Sequence, residues 1–249
     1  ALPIWIFPAG GDSRYDAISV IFATWCFSIP LALLGCFVFH WPVMVVFVVK
    51  KLNDEIRLLG EKVYDRFPCV VSVYANINDL QTNVILGDKD ICLKGKESIR
   101  DVLKNLEFHI STKSFYQINP PQAIKVYDTA LEFAGLTGKE TVLDLYCGTG
   151  TIGLIASDEA KEVIGVESNK DAVKDAINNA KHNGIKNAVF ITADAGRYMA
   201  SATTKREKFD LVFMDPPRAG ADDAFLSSLE KLAPKRIVYI SCNPETLAR

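Results

Sequence analysis

The sequence predicts an α/β protein in which a doubly wound, mostly parallel sheet follows a smaller α/β region. From residue 120 onward, apolar segments typical of buried strands alternate with segments whose apolar residues recur at helical spacing. Short motifs rich in glycine, proline or acidic residues follow several of the strands. Because right-handed crossovers bring the carboxyl ends of parallel strands to one edge of the sheet, we expect these motifs to share a ligand site.

The elements of this larger region follow from its apolar patterning and its glycines. Strands are predicted over residues 141–146, 162–167, 188–192, 209–214 and 236–241. Helices are predicted over 122–134, up to residue 156 after the glycine-rich turn, over 170–183 and over 224–232. Gly135 and Gly184 suit the carboxyl ends of two helices. Residues 200–208 are polar and are predicted to form an exposed loop.

A smaller α/β region precedes this sheet. It is predicted to contain strands over residues 43–49 and 69–77, a helix over 52–67, and a hairpin with arms at 83–86 and 91–93. No chemical motif falls in these elements. We therefore divide the chain into residues 1–42, a central α/β region over 43–119, and a catalytic domain over 120–249.

The amino-terminal segment is unusual in its hydrophobicity. Residues 17–49 contain no Asp, Glu, Lys or Arg, so length and hydropathy alone make them a transmembrane candidate. Two alternatives are open: buried hydrophobic strands, or a reported sequence that is not the natural one upstream of about Val43. Since the rest of the chain is typical of a soluble domain, we favour these two alternatives over a membrane anchor.

Composition excludes several classes of protein. The formal net charge of −2 argues against a protein that binds nucleic acid mainly through a high overall positive charge. The six cysteines form no Cys-x-x-Cys pair and the three histidines share no ligand spacing, so no metal site is expected. The scattered cysteines do not resemble a secreted disulfide framework, and we expect a cytoplasmic protein. An RNA path or a plain exposed face could be formed by Lys94, Lys96, Arg100 and Lys104.

A glycine-rich turn follows the first strand of the larger sheet. It reads Asp144-Leu-Tyr-Cys-Gly-Thr-Gly150, and Glu167 ends the next strand, where a carboxylate can accept bonds from ribose hydroxyls. Nothing in this motif requires a pyrophosphate, so an adenosine that carries a sulfonium fits better than NAD. Asp194 follows the third strand. A tight turn without a ligand is the alternative, but the three features together favour a nucleoside cofactor.

Two further motifs end later strands. Asp215-Pro-Pro-Arg218 places a carboxylate on the ligand side of a stiff loop, although the same motif suits amino-directed methyltransferases. Cys242, in Ser241-Cys-Asn-Pro244, ends the last strand, where a thiolate could act as a nucleophile. A buried structural cysteine is the commoner role, and we favour that role for Cys147 over a nucleophilic one.

In their order along the chain, these motifs resemble the RNA uracil-5-methyltransferase family, which makes 5-methyluridine in tRNA and 23S rRNA. The resemblance begins at about Val43 and also includes Phe115-Tyr-Gln-Ile-Asn119. It implies a Rossmann-like class I methyltransferase fold, S-adenosyl-L-methionine as cofactor and Cys242 as the nucleophile. The cofactor-binding residues implied by the motifs are Gln117, Tyr146, Thr151, Glu167, Asp194 and Asp215.

The resemblance also implies a mechanism and shows departures from it. Cys242 would add to C6 of uracil so that C5 can attack the methyl group, with 23S rRNA favoured over tRNA as substrate. The family's proton-removing Glu lies downstream of the cysteine strand, so we expect this chain to methylate RNA without releasing it. Residues 1–42 match neither the RNA-binding barrel nor the iron–sulfur cluster of some members. The rival functions are an amino-directed nucleic-acid methyltransferase and a non-catalytic RNA- or cofactor-binding remnant.

Overall fold

The computed structural model describes residues 42–79, 86–117, 119–217 and 220–241. The chain divides into two compact units, Ala1–Ile99 and Arg100–Arg249. Residues 100–119, which the sequence analysis placed in the central region, therefore belong to the second unit.

The first unit contains a three-stranded sheet and one helix. Its elements are β1 (Val43–Val49), α1 (Asp54–Arg66), β2 (Val70–Ile77) and β3 (Lys89–Gly95). β2 lies in the middle, parallel to β1 and antiparallel to β3. Asn53 begins α1, because its side chain accepts a hydrogen bond from the backbone N of Ile56 at 2.9 Å. The predicted strands and helix are confirmed.

The second arm of the predicted hairpin around Gly87 belongs to a longer strand. β3 begins at Lys89, inside the predicted turn, and pairs with β2. The buried Asn76 accepts a hydrogen bond from the backbone N of Gly87 at 2.7 Å and donates one to the Gly87 carbonyl at 2.9 Å. The Asn76 side chain thus bonds both backbone groups of Gly87, which the prediction placed in the turn. Residues 83–85 of the first arm lie outside the described residues.

The hydrophobic amino-terminal segment falls largely on residues 1–41, outside the described residues. Its last part is β1, which is half-buried, with Val48 exposed. No helix within the described ranges is long and apolar enough to cross a membrane.

Cys69 is disulfide-bonded, which the scattered cysteine spacing did not predict, whereas Cys92 and Cys147 are free thiols.

A short hairpin, which the sequence analysis did not predict, opens the second unit. Strands β4 (Ile99–Leu103) and β5 (Leu106–Ile110) pair with each other. Lys104 and Asn105 join them with φ angles of 48° and 67°. Two consecutive residues with positive φ give the turn a twist that matches that of the flanking strands.

The second unit is built on a five-stranded parallel sheet, ordered β10-β9-β6-β7-β8. The strands are β6 (Thr141–Leu145), β7 (Glu162–Glu167), β8 (Ala188–Thr192), β9 (Leu211–Met214) and β10 (Arg236–Tyr239). The helices are α2 (Pro120–Ala134), α3 (Thr151–Ala156), α4 (Lys170–His182), α5 (Ala195–Lys205) and α6 (Asp223–Leu232). The predicted fold class is confirmed, and the strand order reverses between β6 and β9, where such sheets bind ligands.

Helices cover both faces of this sheet. On one face Leu143 and Leu145 share a core with Met199 of α5 and Phe225 of α6. On the other face α3 lies so close to β6 that a Cβ on Gly153 would be 2.8 Å from Asp144 Oδ2. Alternate residues of β6 therefore face different helices, as a doubly wound sheet requires.

The predicted loop over residues 200–208 is wrong for most of its length, since α5 continues to Lys205. Asp194 starts this helix by accepting a hydrogen bond from the backbone N of Arg197 at 2.9 Å. Ala195, Met199 and Ala202 are buried at helical spacing. Burial of this apolar stripe outweighs the weak helix propensity of the Ser and Thr residues.

Candidate active site

A small cleft opens at the switch point between β6 and β9, and its volume is about 40 Å³. Its walls come from the segment before α2, from α2 itself, from the glycine turn and from the end of β9. The lining residues are Phe115, Tyr116, Gln117, Tyr127, Tyr146, Cys147, Gly148, Thr149, Thr151, Ile152 and Asp215. Four of the six predicted cofactor residues thus meet at one cleft: Gln117, Tyr146, Thr151 and Asp215.

The glycine turn bends because three of its residues have left-handed backbone. The φ angles are 62° at Tyr146, 54° at Gly148 and 80° at Gly150. Asp144 fixes the start of α3, since its Oδ2 accepts a hydrogen bond from the backbone N of Gly153 at 2.9 Å. Sequence analysis missed Gly153, which completes a Gly-x-Gly-x-x-Gly spacing with Gly148 and Gly150 and allows close contact between helix and strand.

Two carboxyl groups at the cleft have pKa values above their ordinary range. Burial raises the pKa of Asp144 to about 7, opposed by the hydrogen bond from Gly153 and reinforced by the charges of Asp215 and Glu167. Burial also raises the pKa of Asp215 to about 6. A positively charged group in the cleft would favour the ionised forms of both acids.

Glu167 does not line the cleft but is joined to it by hydrogen bonds. Its Oε2 accepts from the backbone N of Gly148 at 3.2 Å, and its Oε1 accepts from the backbone N of Asn169 at 2.8 Å. The Ser168 hydroxyl donates a third bond, at 3.0 Å. A carboxylate has about four acceptor positions, so Glu167 keeps capacity for a ligand hydroxyl while its orientation is fixed.

Asp194 also lies outside the cleft lining, at the end of β8, where it caps α5. Its charge reaches the site indirectly: burial raises the pKa of Tyr146, and the negative charge of Asp194 adds to that shift. The helix-capping role is therefore observed for this residue, and cofactor binding by Asp194 stays a prediction.

The two cysteines of interest differ. Cys147 is buried, and burial raises the pKa of its thiol well above the ordinary value, with Asp144 and Glu167 adding to the effect. A Cβ added to Gly165 would be 3.0 Å from its Sγ, so Cys147 packs against β7 as well as lining the cleft. Cys242 lies outside the described residues. The chain before it continues the sheet, since the Ile240 N donates to Met214 O at 2.9 Å.

Sequence analysis missed Tyr127, which reaches the cleft from the buried face of α2. Its pKa is raised, first by burial and then by the charges of Asp215 and Asp144. The buried positions of α2 recur at helical spacing, which is readable in the sequence, but that spacing does not show which buried aromatic residue lies beside a ligand site.

The charge of the cleft limits what it can bind. None of the described residues that line it is Lys or Arg, whereas Asp215 lines it and Asp144 lies close by. Such a lining disfavours a polyphosphate and suits a nucleoside with a positive centre. A Cβ on Gly148 would meet only the Phe115 carbonyl, at 3.7 Å, so the glycine leaves space at the cleft wall for a ligand.

Basic and histidine residues elsewhere do not form a second centre. Arg100 pairs with Glu107 at 2.7 Å, and Lys104 pairs with Asp128. His109 and His182, which share no ligand spacing in the sequence, stack with ring centroids 4.4 Å apart. Within the described part of the chain, no cluster of three or more His, Cys, Asp or Glu could hold a metal ion.

Comparison with known proteins decides the family. The tRNA (uracil-5-)-methyltransferase family model matches residues 75–249. The chain belongs to this family. The match includes the whole glycine turn, the cleft and the segment with Cys242, so the motif-based resemblance is confirmed.

Two bacterial relatives are similar in sequence to this chain over most of its length. An uncharacterized RNA methyltransferase of Halalkalibacterium halodurans is 44% identical over 210 residues, which is 83% of this chain and 45% of the relative. One from Caldanaerobacter subterraneus subsp. tengcongensis is 48% identical over 197 residues, or 79% of this chain and 43% of the relative. The chain thus spans somewhat under half the length of these curated relatives.

Solved structures support the same conclusion. The tRNA (uracil-54, C5)-methyltransferase of Pyrococcus abyssi, solved in complex with S-adenosyl-L-homocysteine, has a TM-score of 0.66 and 34% identity. The similarity covers 85% of this chain and 50% of that one. An S-adenosylmethionine-dependent methyltransferase of Agrobacterium tumefaciens, 16% identical with a TM-score of 0.50, shares the fold.

Proposed function

We propose that this protein transfers a methyl group from S-adenosyl-L-methionine to C5 of a uridine in RNA, with Cys242 as the nucleophile. The observation that carries the proposal is the acidic cleft at the β6–β9 switch point in a chain of the uracil-5-methyltransferase family. Gln117, Tyr146, Thr151 and Asp215 line that cleft.

The cofactor assignment follows from the chemistry of these residues. S-adenosyl-L-methionine, when bound, supplies a methyl group on a positively charged sulfur. Asp215 and the buried Asp144 provide negative charge for that sulfonium, and Glu167 provides oriented acceptors for ribose hydroxyls. The Pyrococcus abyssi relative was solved with the corresponding demethylated product, which supports the same ligand here.

In this proposal the Cys242 thiolate makes C5 of uracil nucleophilic. C5 of uracil is a poor nucleophile, but addition of the Cys242 thiolate at C6 moves electron density to C5, which then becomes an enolate carbon. After C5 has gained the methyl group, a base removes the C5 proton, the C5–C6 double bond forms again, and the sulfur leaves C6. One hard step is thereby divided into easier ones. Cys242 directly follows Ser241, just beyond β10, the strand that neighbours β9 and its Asp215.

The RNA substrate is the finer part of the proposal. The sequence analysis favoured 23S rRNA, whereas the Pyrococcus abyssi relative acts on uracil-54 of tRNA. Both RNAs therefore belong in the test, and the same cleft chemistry serves either of them.

The test is the intact mass of the chain under denaturing conditions after incubation with S-adenosyl-L-methionine and a 23S rRNA fragment or a tRNA transcript. We expect an RNA adduct that carries an added methyl group in the wild type and in Cys147→Ala, and none in Cys242→Ala. Methylation that persists in Cys242→Ala would support the amino-directed rival instead. Absence of both an adduct and methylated RNA, with a chain that binds the cofactor, would support the non-catalytic remnant.

A further inference from the structure

Residues 111–117 connect β5 to α2 without regular secondary structure, and they carry Phe115 and Gln117 into the cleft. The Phe115 carbonyl lies 3.7 Å from the position of a Cβ on Gly148, so the segment passes directly beside the glycine turn. Such a segment holds a ligand-contacting amide in place only if something else fixes its backbone.

Helix α4 provides that support through a buried carboxylate. Asp175 Oδ2 accepts hydrogen bonds from the backbone N of Ser111 at 2.9 Å and from the Ser114 hydroxyl at 2.7 Å. Asp175 is 8% exposed, although it sits on a helix whose other face is solvated. Asn169, which caps the same helix, donates to the Lys113 carbonyl at 3.0 Å.

Asp175 is the first member of a ladder on one face of α4 and its carboxyl end. Asn179, one turn later, accepts from the backbone N of His109 at 2.8 Å, and Asn183, another turn later, accepts from the backbone N of Glu107 at 2.8 Å. The spacing of four residues puts these side chains in one row. Side chains of α4 thus bond the edge of β5, and only the Asp175 end of the row reaches the segment that enters the cleft.

The same helix is connected to the glycine turn. Asn179 donates to the Thr149 carbonyl at 3.3 Å, and the backbone N of Asn169 bonds Glu167, whose other oxygen accepts from Gly148. The two walls of the cleft, segment 111–117 and the glycine turn, are therefore attached to one helix.

We infer that Asp175 is a positioning residue for cofactor binding: through Ser111 and Ser114 it holds segment 111–117 so that Gln117 faces the cleft. The inference rests on the proposed function, because the ligand it serves is the proposed cofactor. Asp175 itself touches no ligand. Its effect on cofactor affinity should therefore exceed that of the half-buried Asn183 at the far end of the ladder.

The test compares Asp175→Ala with Asn183→Ala, which removes side-chain hydrogen bonds to the backbone of Glu107 at the end of β5 remote from the cleft. S-adenosylhomocysteine binding is measured by calorimetry, and amide exchange of residues 111–117 by mass spectrometry. We expect Asp175→Ala to raise the Kd about tenfold, or about 1.4 kcal/mol, and Asn183→Ala to change it less than twofold. Exchange over residues 111–117 should increase only in Asp175→Ala.

Two further variants distinguish a specific effect on cofactor binding from a loss of folding. Asp175→Asn keeps one acceptor oxygen and should recover most of the affinity, and Ser114→Ala should weaken binding in the same direction by a smaller factor. Equal losses in Asp175→Ala and Asn183→Ala, or an unchanged Kd in Asp175→Ala, would overturn the inference. If the wild type binds no S-adenosylhomocysteine, the proposed function fails, and the exchange measurement alone decides whether Asp175 holds the segment.

Discussion

Gly150 is the position where a single methyl group should do most damage to the glycine turn. Its φ of 80° is left-handed, and an added Cβ would lie 2.8 Å from two ring carbons of Phe190 and 3.1 Å from the Cβ of Ala176. Phe190 is buried in β8, so its ring cannot move away without disturbing the core. Gly150→Ala therefore combines backbone strain with overpacking.

The two costs can be separated with Gly138. The left-handed backbone costs about 1–2 kcal/mol for a residue with a Cβ. Overpacking of a well-filled core costs about 1–3 kcal/mol. Gly138 has nearly the same φ, 85°, but nothing lies within 4 Å of an added Cβ, so Gly138→Ala suffers only the first cost. Both substitutions stiffen the unfolded chain equally, and that contribution cancels in the comparison.

Urea denaturation of the two variants measures this difference directly. We expect Gly150→Ala to lose about 1–3 kcal/mol more unfolding free energy than Gly138→Ala, and to lose affinity for S-adenosylhomocysteine, while Gly138→Ala keeps it. Equal stability losses in the two variants would refute the steric argument. Full cofactor affinity in a folded Gly150→Ala would refute the role of the turn's shape.

Three further substitutions test the surroundings of the cleft. Glu167→Gln should raise the Kd for S-adenosylhomocysteine at least tenfold, measured by calorimetry, whereas Glu162→Gln at the exposed start of the same strand should not. Because the pKa of Asp144 is raised to about 7, the contribution of this carboxyl to stability in urea should fall as pH rises from about 4 to 7 and make the pH slope of the wild type more negative. Asp144→Asn should make that slope less negative, and an unchanged slope would contradict the assignment. Gly165→Ala should destabilise the fold, because its Cβ would lie 2.4 Å from the Phe190 ring, and Phe190→Leu should restore part of the lost stability in the same denaturation assay.

The sheet was predictable because its strands are short apolar runs with clear ends. The bounds predicted for β7 and β8 agree with the structure, and the other strands of the larger sheet differ only at their ends. Helix α5 was missed because Ser, Thr and Lys dominate its last turns, although Asp194 and the spacing of Ala195, Met199 and Ala202 indicate a helix. The Asn76 side chain of β2 bonds the backbone of Gly87, just before β3, and no local pattern in the sequence reveals that contact.

Part of the candidate site could be predicted from the sequence for a similar reason. Motif residues at strand ends, such as Asp215 and Tyr146, meet because parallel strands end at one edge of the sheet. Glu167 and Asp194 are held by local capping and turn bonds that alternation of strands and helices does not predict. Asp175 looked like one more charge on a solvated helix, because only the fold brings Ser111 and Ser114 against it.

The most direct test of the proposed function identifies the nucleoside that receives the methyl group. The chain is incubated with S-adenosyl-L-methionine labelled with deuterium in the methyl group and with tRNA or a 23S rRNA fragment, and the RNA and any protein adduct are digested and analysed by mass spectrometry. The account predicts label on uridine alone, as 5-methyluridine or as its methylated nucleotide attached to the peptide that contains Cys242. Label on adenosine, guanosine or cytidine would contradict it.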